Sequence, residues 1–178
     1  HSHATDRIIQ PGDFIQTDFG IKVFDTWCTD IQRFDYVLAP GEDAPPPRAQ
    51  RYWEIARKGS REAFRAMKPG VRGVDVDLAQ RKILRRNESI PIMWGTGHPV
   101  GYWAHDVGPG LSGGQQGRTP SGSVLRVLRP GQTFAFEGFF GWKAIIDGKE
   151  TTKTISVEEM VVITESGAAW IIPPQEEL

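Results

Sequence analysis

Four carboxylates and one imidazole, spread over most of the chain, each stand in a setting that suits a metal ligand. They are Asp18 in Thr17-Asp18-Phe19-Gly20, Asp30 in Thr29-Asp30-Ile31-Gln32-Arg33, and His98 in Gly97-His98-Pro99-Val100-Gly101. Glu137 interrupts the apolar run Phe134-Ala135-Phe136-Glu137-Gly138-Phe139-Phe140, and Glu158 closes Thr154-Ile155-Ser156-Val157 ahead of a second apolar strand. The set is hard and oxygen-rich, too acidic for one structural zinc and suited to two divalent ions. Such a pair activates a water and clamps a tetrahedral intermediate, so the chemistry is metal-assisted hydrolysis.

Each member also has an ordinary explanation. Asp18 before Phe19-Gly20 can simply end a strand at a turn. Asp30 can form a surface ion pair with Arg33, worth little energetically. His98 can be a hydrogen-bonded loop or core histidine. Glu137 and Glu158 resist such readings, because an unpaired carboxylate in an apolar strand costs several kcal/mol. Neither run holds a lysine or arginine to offset the charge, whereas a metal pair supplies it.

The elements that position these residues follow from periodicity and breakers. Pro11-Gly12-Asp13 is a turn, and residues 13–38 read as an antiparallel meander with strands at 14–20, 22–27 and 31–38. Asp18 and Asp30 then fall on neighbouring strands. The proline-rich stretch 39–47 is a loop. Helical spacing of Tyr52, Ile55, Ala56, Ala63, Phe64 and Met67 predicts a helix over 48–67, ended by Pro69-Gly70. A second helix is predicted over 74–86. Residues 107–123 carry six glycines and two prolines and read as an extended surface loop. Strands follow at about 132–140, 142–147, 151–158 and 160–165. Strands, then helices, then strands give an α+β domain, with helices on one face of a curved antiparallel sheet.

Composition bounds the partners. The 178 residues suffice for one domain over 1–178. A net charge of −1, from 21 basic and 22 acidic residues without a basic face, argues against nucleic acid or an anionic membrane. No apolar run approaches the roughly 18 residues of a membrane span. The single cysteine, Cys28, excludes an internal disulfide and fits a reducing, cytoplasmic compartment.

In order and local context, Asp18, Asp30, His98, Glu137 and Glu158 resemble the ligand set of the pita-bread metallopeptidases. That family includes methionine aminopeptidase, Xaa-Pro aminopeptidase and prolidase. The likeness lies in Asp-x-Gly at Asp18, Thr-Asp-Ile-x-Arg at Asp30, Gly-His-x-x-Gly at His98, the Leu128-to-Phe134 lead-in to Glu137, and the Glu-Glu-Met-Val-Val strand at Glu158. It extends from residue 1 to about 167. It implies a pita-bread domain lacking its beginning, and two divalent ions, manganese or cobalt before zinc or iron. It also implies hydrolysis of a peptide bond near the N-terminus of small peptides, of the Xaa-Pro aminopeptidase or dipeptidase type, by a hydroxide bridging the ions.

The resemblance further implies that Glu137 shuttles the proton, that His105 steadies the intermediate or holds the substrate carbonyl, and that His1 touches the substrate backbone. Tyr102, Trp103 and Trp94 flank the histidine segment as candidate pocket walls, with core packing as the alternative. Three departures stand out. Asp18 and Asp30 are twelve residues apart, one more than usual, which calls for a bulge or a longer hairpin. Pro99 follows the histidine. Ser156 occupies a position where proline-specific relatives often carry arginine. A catalytically inactive scaffold module of the same fold, and a metal-independent hydrolase of the creatinase type, remain as alternatives. The missing front predicts an exposed apolar surface near the 48–86 helices, covered by a second copy or by a preceding segment.

Overall fold

In the computed structural model, which describes residues 6–146 and 148–178, the N-terminal third is one long hairpin. Strand β1 (Phe14–Phe19) pairs antiparallel with β4 (Ile31–Tyr36), from Phe14 opposite Tyr36 to Phe19 opposite Ile31. Beyond a short break, β2 (Lys22–Val23) and β3 (Trp27–Cys28) continue in the same register, with Lys22 opposite Cys28 and Val23 opposite Trp27. No bulge intervenes. The longer spacing between Asp18 and Asp30 is taken up at the tip, where Thr26 N–H bonds Val23 O at 3.0 Å. There Phe24 and Asp25 both sit in the left-handed region, at φ 52° and 53°. The break itself needs Gly20, because a Cβ there would lie 1.9 Å from the Thr29 carbonyl oxygen.

Two helices follow, α1 (Pro47–Ala66) and α2 (Gly73–Arg86), within a residue or so of their predicted bounds. Proline at the first turn of α1 suits a position whose N–H has no intrahelical partner. The remaining strands form an antiparallel sheet in the order β5 (Gly97–Val100), β6 (Thr133–Ile146), β7 (Lys149–Thr164) and β8 (Gly167–Trp170). The four short strands predicted over 132–165 are thus two long ones. Gly141, between two of the predicted strands, makes room for Ile90 and Ile92 beneath an unbroken ladder.

Alternation along β6 and β7 separates two faces. Phe134, Phe136, Phe140, Ile155, Val157, Val161 and Ile163 point to the helices, where they bury Trp53, Ala56, Ala63, Met67, Val76 and Ile83. Helix α1 lies directly on the sheet at Gly138, where a Cβ would meet the Ala56 carbonyl oxygen at 1.9 Å. Register places Ala135 opposite Met160, Glu137 opposite Glu158 and Phe139 opposite Ser156 on the other face. The helix-facing side is thus largely apolar, while the other mixes buried Ala135, Met160 and Phe139 with Glu137, Ser156 and Glu158.

Among the described residues the helices do not themselves carry the apolar surface expected near them. Among the described residues of α1 and α2, Leu78 is the one large exposed hydrophobic side chain. The others gather at residues 8–9, 19–27, 93–94, 102–107, 125–127, 145–146 and 171, with Leu38 besides. Among the described residues no helix is long and apolar enough to cross a membrane.

Candidate metal centre

All five predicted ligands converge on the face of the sheet turned away from the helices. Glu137 and Glu158 stand directly opposite each other on β6 and β7. His98 comes from β5, which pairs with β6 so that His98 faces Ala135. Asp18 and Asp30 come from the hairpin, whose β4 packs along β7. Ligating oxygens of Asp18, Asp30 and Glu158 lie within 4.8 Å of one another, and so do single ligand atoms of Asp30, His98 and His105. Asp30 belongs to both groups. Glu137 belongs to neither, but its charge is felt at Glu158, and those of Asp18 and Asp30 are felt at Glu137.

Two features hold the histidine side. Asp30 Oδ2 lies 3.5 Å from His98 Nε2 and 3.9 Å from His105 Nε2. The imidazoles stack with centroids 3.7 Å apart. Asp106 closes the intervening turn by accepting the N–H groups of Tyr102 (2.8 Å) and Val107 (2.6 Å). Pro99 fits on β5, and its carbonyl accepts Asp106 N–H at 3.0 Å. Tyr102 and Trp103 are exposed on this turn. Tyr102 stacks on Trp27 of the hairpin at 5.0 Å, and Lys22 sits 5.7 Å over Trp103. Trp94 packs edge-on against Phe139. His1 lies outside the described residues.

The electrostatics are those of acids gathered without a cation. Burial, reinforced by Asp18 and Asp30, pushes Glu137 up to about 8. Burial together with the charges of Glu137, Asp30, Asp18 and Glu159 pushes Glu158 up to about 9. Asp30 is raised by burial and by Asp18, against the pull of His98 and His105. Burial lowers His98, and His105 adds to the effect, which keeps the ring in the neutral form a metal takes. Buried Glu158 Oε2 has no hydrogen-bond partner among the described residues. An orphaned carboxylate oxygen among three further acids and an imidazole fits a divalent-cation centre.

Other residues of the site escaped the sequence reading. Arg33 does not pair with Asp30. It donates to the Glu158 carbonyl at 3.0 Å and reaches Glu159 at 3.4 Å, fastening β4 to β7 from behind the ligands. Asp77 and Arg81, four apart on α2, form a buried pair at 2.8 Å. Asp77 also accepts the Thr96 hydroxyl at 2.6 Å, and the Thr96 carbonyl accepts Glu137 N–H at 2.7 Å. The approach to His98 is thereby tied to α2 and to Glu137. An Asp/Arg pair at i, i+4 was visible in the sequence, but not that its helix face would be buried.

The chain is similar to known proteins in sequence and in fold. A probable dipeptidase PepE of Mycobacterium bovis is 27% identical over 173 residues, covering 96% of this chain and 40% of that protein. An Xaa-Pro dipeptidase of Pyrococcus furiosus is 25% identical over 179 residues, covering 100% of this chain and 45% of that protein. Among solved structures, dipeptidase PepE from Mycobacterium ulcerans matches with a TM-score of 0.74 at 25% identity, over 98% of this chain and 41% of that one. The chain thus spans less than half the length of these relatives, and it has the pita-bread fold of its structural neighbours. The model of metallopeptidase family M24 matches residues 1–165, and the chain belongs to that family.

Proposed function

We propose that this domain hydrolyses a peptide bond near the N-terminus of small peptides, as a dipeptidase or Xaa-Pro peptidase dependent on two divalent ions. The observation that carries the reading is the pair of ligand groups that share Asp30, beside a buried Glu158 oxygen without a partner. Asp18, Asp30 and Glu158 suit one cation, and Asp30 with His98 suits a neighbour, with Glu137 across from Glu158. Bound divalent ions, manganese or cobalt foremost, lower the pKa of water and polarise the scissile carbonyl.

The chain's own groups do the remainder. Glu137, half-buried and opposite Glu158, takes a proton from the attacking water and returns it to the leaving amine. His105, exposed and stacked on His98, donates to the carbonyl oxygen as charge develops there. Tyr102 and Trp103 on the same turn offer apolar surface to a substrate side chain.

The test is release of free amino acid from Xaa-Pro and Met-Xaa dipeptides, with manganese or cobalt added and a chelator as control. Release that needs the metal is the expected result. Metal bound without release sinks the enzymatic reading in favour of a scaffold, and cleavage of a guanidino compound without metal places the chain with the creatinase type.

A further inference from the structure

We infer that Gln32 is a positioning residue for Asp18, and that Ser156 fixes Gln32 in turn; this rests on the metal-centre reading above. Asp18 is exposed, on β1, a strand that among the described residues pairs with β4 alone. Gln32 stands directly opposite it on β4 and is 2% exposed. Its Nε2 donates to Asp18 Oδ2 at 3.1 Å. Its Oε1 accepts the Ser156 hydroxyl at 2.7 Å and Gln16 Nε2 at 2.9 Å. Ser156 is itself buried, two residues before Glu158 on the same face of β7. A chain of side-chain hydrogen bonds therefore runs from the strand that carries Glu158 to the carboxylate of Asp18.

The amide has one workable orientation. Turned over, it would set its carbonyl oxygen against the Asp18 carboxylate and its NH₂ against the NH₂ of Gln16. The Asp18 carboxylate only accepts, so an N–H of Gln32 faces it, and Oε1 is left to accept the Ser156 hydroxyl and Gln16 Nε2. A carboxylate has about four acceptor sites, and the bond from Gln32 takes up one of them. A neutral donor also leaves its charge intact for a cation, which a lysine or arginine in the same place would partly offset. Orienting groups of this kind typically change metal affinity by about 10–100-fold when removed.

The experiment titrates manganese into chelator-treated protein by calorimetry, comparing the unaltered chain with Gln32→Met, Ser156→Ala and Ser156→Thr, and follows urea unfolding of each metal-free form. Gln32→Met keeps the length of the side chain and removes both ends of the relay. The expected result is manganese binding weakened at least about tenfold in Gln32→Met, less in Ser156→Ala, and unaltered in Ser156→Thr, which retains the hydroxyl. A merely structural glutamine would move the urea midpoint of the metal-free protein and leave manganese affinity alone. Equal affinity in Gln32→Met and the unaltered chain overturns the inference while the metal centre stands. Failure of the unaltered chain to bind manganese overturns both. Should Gln32→Met not fold, Ser156→Ala decides alone: weakened binding supports the relay, and unchanged binding refutes it.

Discussion

Glu158 and Glu159 are neighbours in sequence, both buried, and they live in opposite electrostatic worlds. Glu159 points to the helix side of the sheet, where Arg33 and Arg61 each approach within 3.4 Å and Gln175 N–H donates at 2.9 Å. Burial raises its pKa, but every other contact pulls it back down. Glu158 points to the site, where all the charges acting on it are carboxylates and nothing opposes the rise. Strand alternation alone separates the two, and it leaves one acid among guanidinium groups and the other among carboxylates. A buried carboxylate by itself therefore says little about function. The charge of its company decides.

The sharpest way to break this contrast is Glu158→Gln. Manganese binding and dipeptide hydrolysis should fall by more than the roughly 10–100-fold that loss of an outer partner costs. The metal-free protein should meanwhile become more resistant to urea at pH 8, since a glutamine, unlike Glu158, need not take up a proton on folding. A variant that loses stability and keeps activity would assign Glu158 to the scaffold. On the other side of the sheet, Arg61→Met should behave in reverse. It leaves the fully buried Glu159 with Arg33 as its remaining close cation among the described residues. Stability should drop by about 3 kcal/mol in urea unfolding, with manganese affinity unchanged.

The contrast also sets a pH dependence. The folded-state values of Glu137 and Glu158, about 8 and about 9, lie above the ordinary 4.5 that the unfolded chain has. Between those limits the folded protein holds protons that the unfolded chain has released. Their contribution is fully present at low pH and is lost as pH rises through the folded values. The metal-free protein should thus weaken, on the order of a few kcal/mol, as pH is raised from about 5 to about 9. Saturating manganese should flatten or reverse the slope, because a cation favours the ionised acids. A metal-free stability that is flat across this range would mean that the cluster is more open to water than the structure shows.

The sequence singled out the five candidate ligands because each sits in its own short signature, and Glu137 and Glu158 because a charge inside an apolar run needs a reason. It disclosed the helices through their spacing. What it withheld depends on pairing across long separations. Glu159 went unnoticed beside Glu158, since Arg33 and Arg61 arrive from more than ninety residues away. Gln32 and Ser156, 124 residues apart, have no local mark of their partnership. The unbroken register from β1–β4 into β2–β3 was likewise invisible, because an extra residue between Asp18 and Asp30 is equally consistent with a bulge or a longer tip. Only the ladder distinguishes them.

The smallest expected effect concerns how β4 is kept in place to carry Asp30 and Gln32. Along its edge the side chain of Gln175 does what a neighbouring strand would do. Its Nε2 donates to the Phe34 carbonyl at 2.6 Å, and its Oε1 accepts Phe34 N–H at 3.2 Å. The backbone of the same residue donates to Glu159, and Arg33 reaches the Pro173 carbonyl, so the C-terminal tail is strapped across β4 and β7. Gln175→Ala removes the two bonds to Phe34 and keeps the backbone bond to Glu159. The cost should be about 1–2 kcal/mol, read from the urea midpoint, because two backbone groups lose partners at a partly buried edge. Manganese affinity should hold, since Arg33 still fastens β4 to the Glu158 carbonyl and Ser156 still holds Gln32. If affinity instead fell with stability, the helix side and the site side would be one cooperative unit, and the division drawn between Glu158 and Glu159 would describe charge but not mechanics.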